Sequence, residues 1–423
     1  EVHSTPCMSQ TVRFLQACPS DEEIDVVRLV DCVIIDAVKS GASDIHIEPW
    51  ESSIAVRVRM SGVLNELIHL PSDLLPKITG RLKVMANLIG HETQLPQEGR
   101  ANTFPEAGNV VLRISTFPTI RGEKTVIRIF DPSNRAFNLE ALGLEADTLE
   151  TLKGLLTRPS GLMLMTGPTG SGKTTVIYAS LCHLIERAGP SISIATVEDP
   201  VEYRLPYVGQ TQIRSDIGDR SLTFARALRS ILRQDPDVVL VGEIRDTDTA
   251  KVAMEAAITG HLVLSTVHAS SAPSAYTRLT EMGVPAYLVA EALSIVVSQR
   301  LVRQVHECCT VGPPTPDEQA ILSRLGIEGV TQVAHPVGCI GCAGNGFRGR
   351  IAVAEILAAS PEIKGAIQSG LSREKILEIA KKTGWRPMLS DAVRHLKAGR
   401  TTVSEINRAA SVDDDSTEED NNG

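Results

Sequence analysis

The sequence predicts an α/β protein in which a smaller α+β domain precedes a larger domain built on a parallel sheet. Alternating apolar and polar runs recur within the first 130 residues, which is typical of half-buried strands. From residue 139 onward, buried-strand patterns alternate with helical patterns, which favours a parallel sheet covered by helices on both faces. Between the two parts, Asp131–Arg135 combines proline, serine and asparagine, so we place a linker at 131–138.

The first domain is predicted over residues 21–130, after an extended lead-in at 1–20. A helix is expected from Asp21 to Gly41, because valines and isoleucines recur there at helical spacing. The alternating runs Ala42–Pro49 and Ile54–Met60 predict a hairpin. A further helix and two further strands are predicted at Leu75–Leu88, Val110–Thr116 and Thr125–Phe130.

The second domain is predicted over residues 139–410, and an acidic tail at 411–423 is expected to be disordered because it has nothing to bury. A small cysteine-containing module is expected at 300–350, and helical patterns return from Pro361. Before that module, strand and helix patterns alternate at Leu162–Thr166, Ser191–Val197, Leu222–Arg233, Val238–Val241, Thr249–Thr259 and His261–Thr266.

The most specific motif follows the first strand of this second domain. Gly167-x-x-x-x-Gly172-Lys173-Thr174 has the spacing of a P-loop, and a helical pattern follows it. Glycines there let backbone N–H groups surround phosphate oxygens, the lysine adds positive charge, and the threonine hydroxyl holds Mg²⁺. We therefore predict a nucleoside triphosphate bound at a helix N-terminus. The predicted binding residues are Gly167, Pro168, Thr169, Gly170, Ser171, Gly172, Lys173, Thr174 and Thr175.

Acidic residues follow two other predicted strands of the same sheet. Glu243 follows Val238–Val241, and we expect it to hold or orient Mg²⁺. Glu198 follows Ser191–Val197, and we predict that it is the general base that polarises the attacking water. Carboxyl ends of parallel strands meet at one edge of a sheet, so both acids are expected near the P-loop. The alternatives are a surface acid at the strand end for Glu243 and, for Glu198, an acid that only balances nearby arginines.

His268 ends a third strand pattern at the same expected edge of the sheet. An imidazole at that position could sense the γ-phosphate of a bound nucleotide. A core or surface histidine without a catalytic role fits the spacing equally well. The residues alone therefore leave the role of His268 open.

Composition and charge exclude several classes of protein. With 423 residues and 42% hydrophobic content, the chain is long enough for two or three domain cores. The formal net charge is −9; six acids lie in Asp413–Asp420 and leave −3 elsewhere, so nothing suggests a nucleic-acid surface. No apolar run is long enough to cross a bilayer, and the eight cysteines are not spaced like a secreted disulfide framework. We expect a cytoplasmic protein.

The order of several stretches resembles the type II secretion and type IV pilus assembly ATPase family, most of all its type II secretion members, the general secretory pathway ATPases. The matching stretches are GASDIHIEP, LPQEGR, RISTFPTIRGEKTVIRIF, GPTGSGKTT, TVEDPVEYRLP, LRSILRQDPDVVLVGEIRD, TGHLVLSTVHA and SQRLVRQ. In that family, the stretches similar to Glu198–Glu202, Val238–Glu243 and Thr259–His268 are called the Asp box, Walker B and the His box. The resemblance covers residues 25–405.

The resemblance implies a hexameric ATPase that uses ATP and Mg²⁺, with a PAS-like first domain and a RecA-like second domain. Nucleotide would lie between domains and subunits, with charge supplied by Arg113 and Arg128, and by Arg229 and Arg233 on a basic helix. Solvated strand arginines are the alternative for Arg113 and Arg128. The implied partners are an inner-membrane platform and other cytoplasmic-facing components of a secretion or pilus machine. Little before residue 21 resembles the extra N-terminal domain that docks such ATPases.

The cysteine module departs from the family pattern. Members with a zinc site resemble C-x-x-C followed by C-x-x-C, whereas His306-x-x-Cys309 takes the first place here and Cys339-x-x-Cys342 the second. Histidine is a good Zn²⁺ ligand, so a Cys₃His site still fits, and Cys308 could replace Cys309. The alternative is that zinc is not bound, since members of the family can lose the site.

We predict a cytoplasmic motor ATPase, associated with the inner membrane through partners, that hydrolyses ATP to power type II secretion by pseudopilus assembly. A type IV pilus extension or DNA-uptake ATPase shares these motifs and differs mainly in its partners. A third hypothesis is a nucleotide-gated scaffold that does not hydrolyse ATP appreciably. Steady-state ATP hydrolysis separates the motor from the scaffold.

Overall fold

The protein is described here by a computed structural model, which covers residues 9–18, 24–103, 105–108, 110–130, 137–213, 222–339, 342 and 344–411. The predicted acidic tail from residue 412, most of the predicted linker and residues 1–8 of the predicted lead-in lie outside the described residues. The chain forms two compact units. The first unit contains the described residues of Glu1–Arg135, Val305–Thr310 and Pro336–Gly349, and the second those of Ala136–Gln304, Val311–His335 and Arg350–Gly423.

The first unit is built from one antiparallel sheet and the helices that cover it. Its strands are β1 (Asp44–Pro49), β2 (Ile54–Met60), β3 (Val63–Leu70), β4 (Gln97–Asn102), β5 (Val111–Thr119) and β6 (Gly122–Phe130), and its helices are α1 (Ser9–Ala17), α2 (Val26–Lys39) and α3 (Leu75–Met85). The strand order is β3-β2-β1-β6-β5-β4, and each neighbouring pair is antiparallel. Apolar residues of α2 and α3 pack on one sheet face, as the alternation along β1 and β2 predicts.

Three elements of the first unit were not predicted from the sequence. Helix α1 lies within the stretch that we expected to be extended, where Asp36 accepts hydrogen bonds from the backbone N–H and hydroxyl of Thr11 at 2.8 and 2.9 Å. Strands β3 and β4 lack a clean apolar alternation, and β4 is a mostly polar strand at the sheet edge. Tertiary contacts, rather than local pattern, therefore define these elements.

From residue 137 onward, strands and helices alternate along the chain. The described elements are α4 (Ala146–Leu156), β7 (Gly161–Thr166), α5 (Lys173–Ala188), β8 (Ile194–Glu198), β9 (Val208–Gln212), α6 (Phe224–Ile231), β10 (Val238–Val241), α7 (Thr247–Ile258), β11 (Leu262–Val267), α8 (Ala272–Glu281), α9 (Ala286–Ala292), β12 (Leu293–Val305), β13 (Thr310–Gly312), α10 (Pro316–Arg324), β14 (Val333–His335), β15 (Phe347–Ala358), α11 (Pro361–Gln368), α12 (Arg373–Lys382), α13 (Met388–Lys397) and α14 (Val403–Ser411).

A seven-stranded sheet organises the second unit, in the order β15-β12-β7-β11-β10-β8-β9. The pairs from β12 to β9 are parallel, which confirms the predicted fold class. Successive residues of the central strands enter two separate cores: Met163 packs on the α4–α5 side, and Leu162 and Leu164 pack on the α6–α9 side. Because these strands are buried on both faces, each one is a continuous apolar run in the sequence.

Helix α6 is shorter than the predicted Leu222–Arg233, and a two-stranded sheet joins β13 and β14. The helical patterns predicted after Pro361 form α11 to α14. Of the helices that the structure describes, each is too short or too polar to span a bilayer.

Candidate nucleotide-binding site

The loop between β7 and α5 has the backbone that the P-loop motif requires. Gly167, Gly170 and Gly172 have φ values of 136°, 79° and 90°, a region that favours glycine. A Cβ on Gly167 would lie 2.4 Å from the Gln299 backbone oxygen, and one on Gly172 would lie 2.6 Å from Gln299 Nε2. The backbone conformation therefore favours glycine at both positions, and at Gly167 the facing backbone oxygen also leaves no space for a Cβ. Helix α5 begins immediately afterwards, so its first N–H groups lie at this loop.

Gln299 on β12 contacts the glycine-rich loop through a side-chain hydrogen bond. It was not among the predicted site residues. Its Nε2 donates a hydrogen bond of 2.7 Å to the Ser171 carbonyl oxygen, and the residue is 2% exposed. Glutamine is not a typical phosphate ligand, so residue type gave no signal at this position. The signal that the sequence did offer was the position of Gln299 in the SQRLVRQ stretch, which resembles the family.

Lys173 lies over the same loop. Its Nζ donates hydrogen bonds to the carbonyl oxygens of Gly167 at 2.6 Å and Pro168 at 3.0 Å. Burial lowers the pKa of the Lys173 ammonium, and the negative charge of Glu243 acts in the opposite direction. Thr174, the predicted Mg²⁺ ligand of the loop, is exposed. The loop therefore combines a helix N-terminus with a nearby ammonium, an arrangement suited to phosphate.

Glu243 and His268, predicted on separate strands, are brought together in the structure. His268 Nε2 lies 3.8 Å from a Glu243 carboxylate oxygen, and Arg245 forms an ion pair with the same carboxylate. The Glu243 side chain is 16% exposed. The backbone after β10 is fixed by the Ile244 N–H, which donates to the Thr266 carbonyl oxygen at 2.9 Å. An acid that solvent can reach, a histidine and an arginine thus meet at the carboxyl edge of β10 and β11.

Glu198 has a different environment from the one we expected for a general base. It is 4% exposed, and its carboxylate accepts hydrogen bonds from the Tyr178 hydroxyl, from Thr196 Oγ1 at 2.5 Å and from Gln210 Nε2 at 3.1 Å. Burial, with Glu198 adjacent, raises the pKa of Tyr178, so that hydroxyl stays protonated and donates. Strand β8 is three positions from β7 in the sheet, roughly 14 Å at ~4.8 Å per strand. Glu198 therefore lies in the core beneath α5.

The four arginines that the resemblance implied are on the surfaces of their units. Arg229 and Arg233 are exposed, and an Arg233 guanidinium nitrogen donates to the Arg229 carbonyl oxygen at 2.9 Å. In the first unit, Arg113 pairs with Glu98, and Arg128 Nε lies 3.1 Å from an Asp44 carboxylate oxygen. A role for these arginines toward phosphate stays a prediction.

A group of thiol and imidazole side chains lies in the first unit. Single ligand atoms of His306, Cys308, Cys339 and Cys342 lie within 4.8 Å of one another. Cys309, which we predicted as a ligand, is outside this group, and its Sγ lies 3.0 Å from the Gly346 carbonyl oxygen. Cys308 takes its place, with its Sγ 3.7 Å from Cys342 Sγ. Burial alone would raise the pKa of Cys342, but hydrogen bonds from the Cys339 and Gly346 N–H groups lower it to about 7.

A glycine-rich loop lies between a strand and a helix, and an acid and a histidine lie at the carboxyl edge of the same parallel sheet, an arrangement typical of P-loop nucleotide-binding proteins. The chain belongs to the type II/IV secretion system protein family, whose model matches residues 20–408. It is therefore an ATPase of that family, and nucleotide is its ligand.

Individual relatives support this assignment. The chain is 40% identical over 392 residues to the putative type II secretion system protein E of Escherichia coli strain K12, covering 93% of this chain and 78% of the relative. It is also 40% identical over 402 residues to the type IV pilus assembly ATPase PilB of Myxococcus xanthus, covering 94% and 70% of the two chains. The X-ray structure of the Legionella pneumophila ATPase DotB has the same fold, with a TM-score of 0.67 at 20% identity over 90% of this chain and 95% of DotB.

Proposed function

We propose that this chain is the motor ATPase of a type II protein secretion system and that its hydrolysis of ATP drives assembly of the pseudopilus at the inner membrane. The observation that carries the proposal is the P-loop with Lys173 beside the Glu243–His268 pair, in a chain similar over most of its length to proteins named type II secretion system protein E. Type IV pilus assembly is the second candidate, because PilB of Myxococcus xanthus is equally similar in sequence.

At the site, Lys173 would exchange its two carbonyl partners for phosphate oxygens. Thr174 and Glu243 are the residues that would hold Mg²⁺, and their oxygen donors suit that ion. When bound, Mg²⁺ would neutralise charge that develops on the transferring phosphoryl group. In this proposal, His268 senses the γ-phosphate through Glu243, whose carboxylate oxygen lies 3.8 Å from its Nε2.

We assign the general base to Glu243 rather than to Glu198. A base that polarises water needs a carboxylate oxygen that the water can reach. Glu243 retains solvent access, whereas Glu198 is buried and accepts three hydrogen bonds from protein side chains. In this proposal, Glu198 holds β8 and α5 in register, so that its effect on catalysis is indirect.

Assembly and location complete the proposed function. We propose a homo-hexamer in which Arg113, Arg128, Arg229 and Arg233 contribute charge to the phosphates. Such a motor would act on an inner-membrane platform from the cytoplasmic side and would associate with the membrane through that partner. Each arginine has an exposed or half-buried side chain that a partner or ligand could reach.

Complementation distinguishes the two candidate machines. The chain is expressed from a plasmid in two strains, one that lacks its type II secretion ATPase and one that lacks its pilus assembly ATPase. We expect it to restore protein secretion in the strain that lacks the secretion ATPase. Restoration of surface pili alone would favour the pilus candidate. Restoration of secretion by a chain without ATPase activity, measured on size-fractionated protein, would support the scaffold and contradict the motor.

The neighbouring residues Cys308 and Cys309 allow a test of zinc binding at the cysteine cluster, because only Cys308 belongs to the group of possible ligands. We propose that His306, Cys308, Cys339 and Cys342 bind Zn²⁺, since their number and type fit a tetrahedral Cys₃His site. Cys308→Ser is expected to lower the zinc content, measured by mass spectrometry of the purified chain, from about one ion per chain to a small fraction of that value. Cys309→Ser is the matched control and should retain zinc. Loss of zinc from the Cys309 variant with retention in the Cys308 variant would contradict the ligand set.

A further inference from the structure

A second group of metal-ligand types lies in the second unit, in residues that the nucleotide site does not use. Asp391 and His395 are four residues apart on α13 and therefore share one helix face. Glu145 immediately precedes α4, and its side chain does not cap that helix. Single ligand atoms of the three residues lie within 4.8 Å of one another, and Glu145 Oε1 is 3.7 Å from His395 Nε2.

The imidazole of His395 is the unusual member of this group. His395 is 0% exposed, and neither ring nitrogen has a hydrogen-bond partner among the residues that the structure describes. Buried polar atoms are normally paired, because leaving them unpaired costs free energy. One ring nitrogen faces the Glu145 carboxylate at a distance too long for a hydrogen bond. The imidazole of His395 therefore lies beside the carboxylates of Glu145 and Asp391 without a hydrogen bond to either.

Asp391 is oriented by the structure around it. It is 4% exposed, and one carboxylate oxygen accepts a hydrogen bond from the Ala354 N–H at 2.9 Å. The other oxygen accepts from Arg394 at 3.2 Å. Apolar residues of α13, including Met388 and Leu396, pack into a neighbouring core and fix the helix. Outer hydrogen bonds that orient a carboxylate in this way are typical of ligands in metal sites.

We propose that Glu145, Asp391 and His395 bind a divalent first-row transition-metal ion, such as Mn²⁺ or Zn²⁺. One imidazole nitrogen with two carboxylate oxygens suits these ions, whereas Mg²⁺ and Ca²⁺ prefer oxygen ligands throughout. Binding would give the buried imidazole a partner.

Two arginines oppose a cation at this position and limit its affinity. A guanidinium nitrogen of Arg400 lies 3.7 Å from Glu145 Oε1, and Arg394 donates to Asp391. Arg394 also pairs with Asp147 at 3.1 Å, so part of its charge is already balanced. The Arg400 side chain is 52% exposed and can turn into solvent when a cation takes the Glu145 oxygen. Arg400 and the metal ion therefore compete for one carboxylate.

The test uses the full chain, stripped of metal and free of nucleotide, titrated with Mn²⁺ and followed by loss of the EPR signal of free Mn²⁺. We expect about one bound Mn²⁺ per chain, and Mn²⁺ discriminates against the cysteine cluster because it prefers oxygen and nitrogen to thiolate ligands. Glu145→Gln and His395→Gln should each weaken binding by at least about tenfold. Arg400→Gln should strengthen binding several-fold, which a merely structural role of the cluster would not produce.

Glu150→Gln on α4 is the matched control, since Glu150 is an exposed acid five residues from Glu145. Its binding curve should coincide with that of the unmodified chain. Circular dichroism checks folding, and if His395→Gln does not fold, Glu145→Gln decides the question because Glu145 is not in the core. Absence of bound Mn²⁺ in the unmodified chain, or equal binding by Glu145→Gln, overturns the proposal.

Discussion

Lys173→Ala is expected to lower steady-state ATP turnover by about 10³-fold or more while the chain remains folded. The ammonium lies over the P-loop and donates only to loop carbonyl oxygens, so its removal takes positive charge from the phosphate position without opening an apolar core. Phosphate release at saturating ATP gives the turnover, and circular dichroism with thermal melting gives the folding state.

Lys153→Ala supplies a control for loss of a lysine from the same unit. Lys153 lies on α4 and pairs with Glu140 at 2.7 Å, and neither residue belongs to the P-loop. Exposed ion pairs contribute little to stability, so turnover should change by less than about twofold. Turnover of Lys173→Ala equal to that of Lys153→Ala would refute the nucleotide site.

Glu243→Gln and Glu198→Gln are expected to separate a catalytic carboxylate from a positioning one. Glu243→Gln removes the negative charge beside His268 and at the proposed Mg²⁺ position, so it should lower kcat by about 10²-fold to 10³-fold and weaken binding of Mg·ATP, with the melting temperature nearly unchanged. Glu198→Gln places an amide donor opposite Tyr178 or Gln210, so it should reduce stability by about 1 to 3 kcal/mol. Its turnover at a temperature where the chain is folded should fall by less than about tenfold.

The measurement is kcat and KM for ATP together with a melting curve for each variant. Because Glu198 acts through α5 and β8 in our proposal, the loss of stability must accompany any loss of turnover. If Glu198→Gln instead abolishes turnover with an unchanged melting curve, and Glu243→Gln retains turnover, the general base is Glu198, as the sequence first suggested.

The strongest sequence patterns predicted the second unit well. The P-loop motif depends on residue types with few alternatives, because three glycines have positive φ and a Cβ on Gly167 would meet a backbone oxygen. The parallel sheet was equally predictable, since strands buried on both faces leave long apolar runs between helices. The order of motifs along the chain also placed it in its family.

The orientation of Glu198 could not be predicted for the same reason. In a strand buried on both faces, periodicity does not show which side the last residue takes. The choice depends on partners that come from elsewhere in the chain, namely Tyr178 on α5 and Gln210 on β9. A similar limit applied to Cys308 and Cys309, where spacing alone could not decide which neighbouring thiol faces Cys342.

The dependence of the P-loop on Gln299 also affects any attempt to transplant the motif. The strand-loop-helix segment from β7 to α5 does not contain its own support, because Gln299 lies on β12, 125 positions after Thr174 in the printed numbering. A host protein that received only that segment would lack the amide that holds the Ser171 carbonyl and the backbone that leaves no space beside Gly167. A functional graft would have to carry both strands, or a substitute for the glutamine from the recipient.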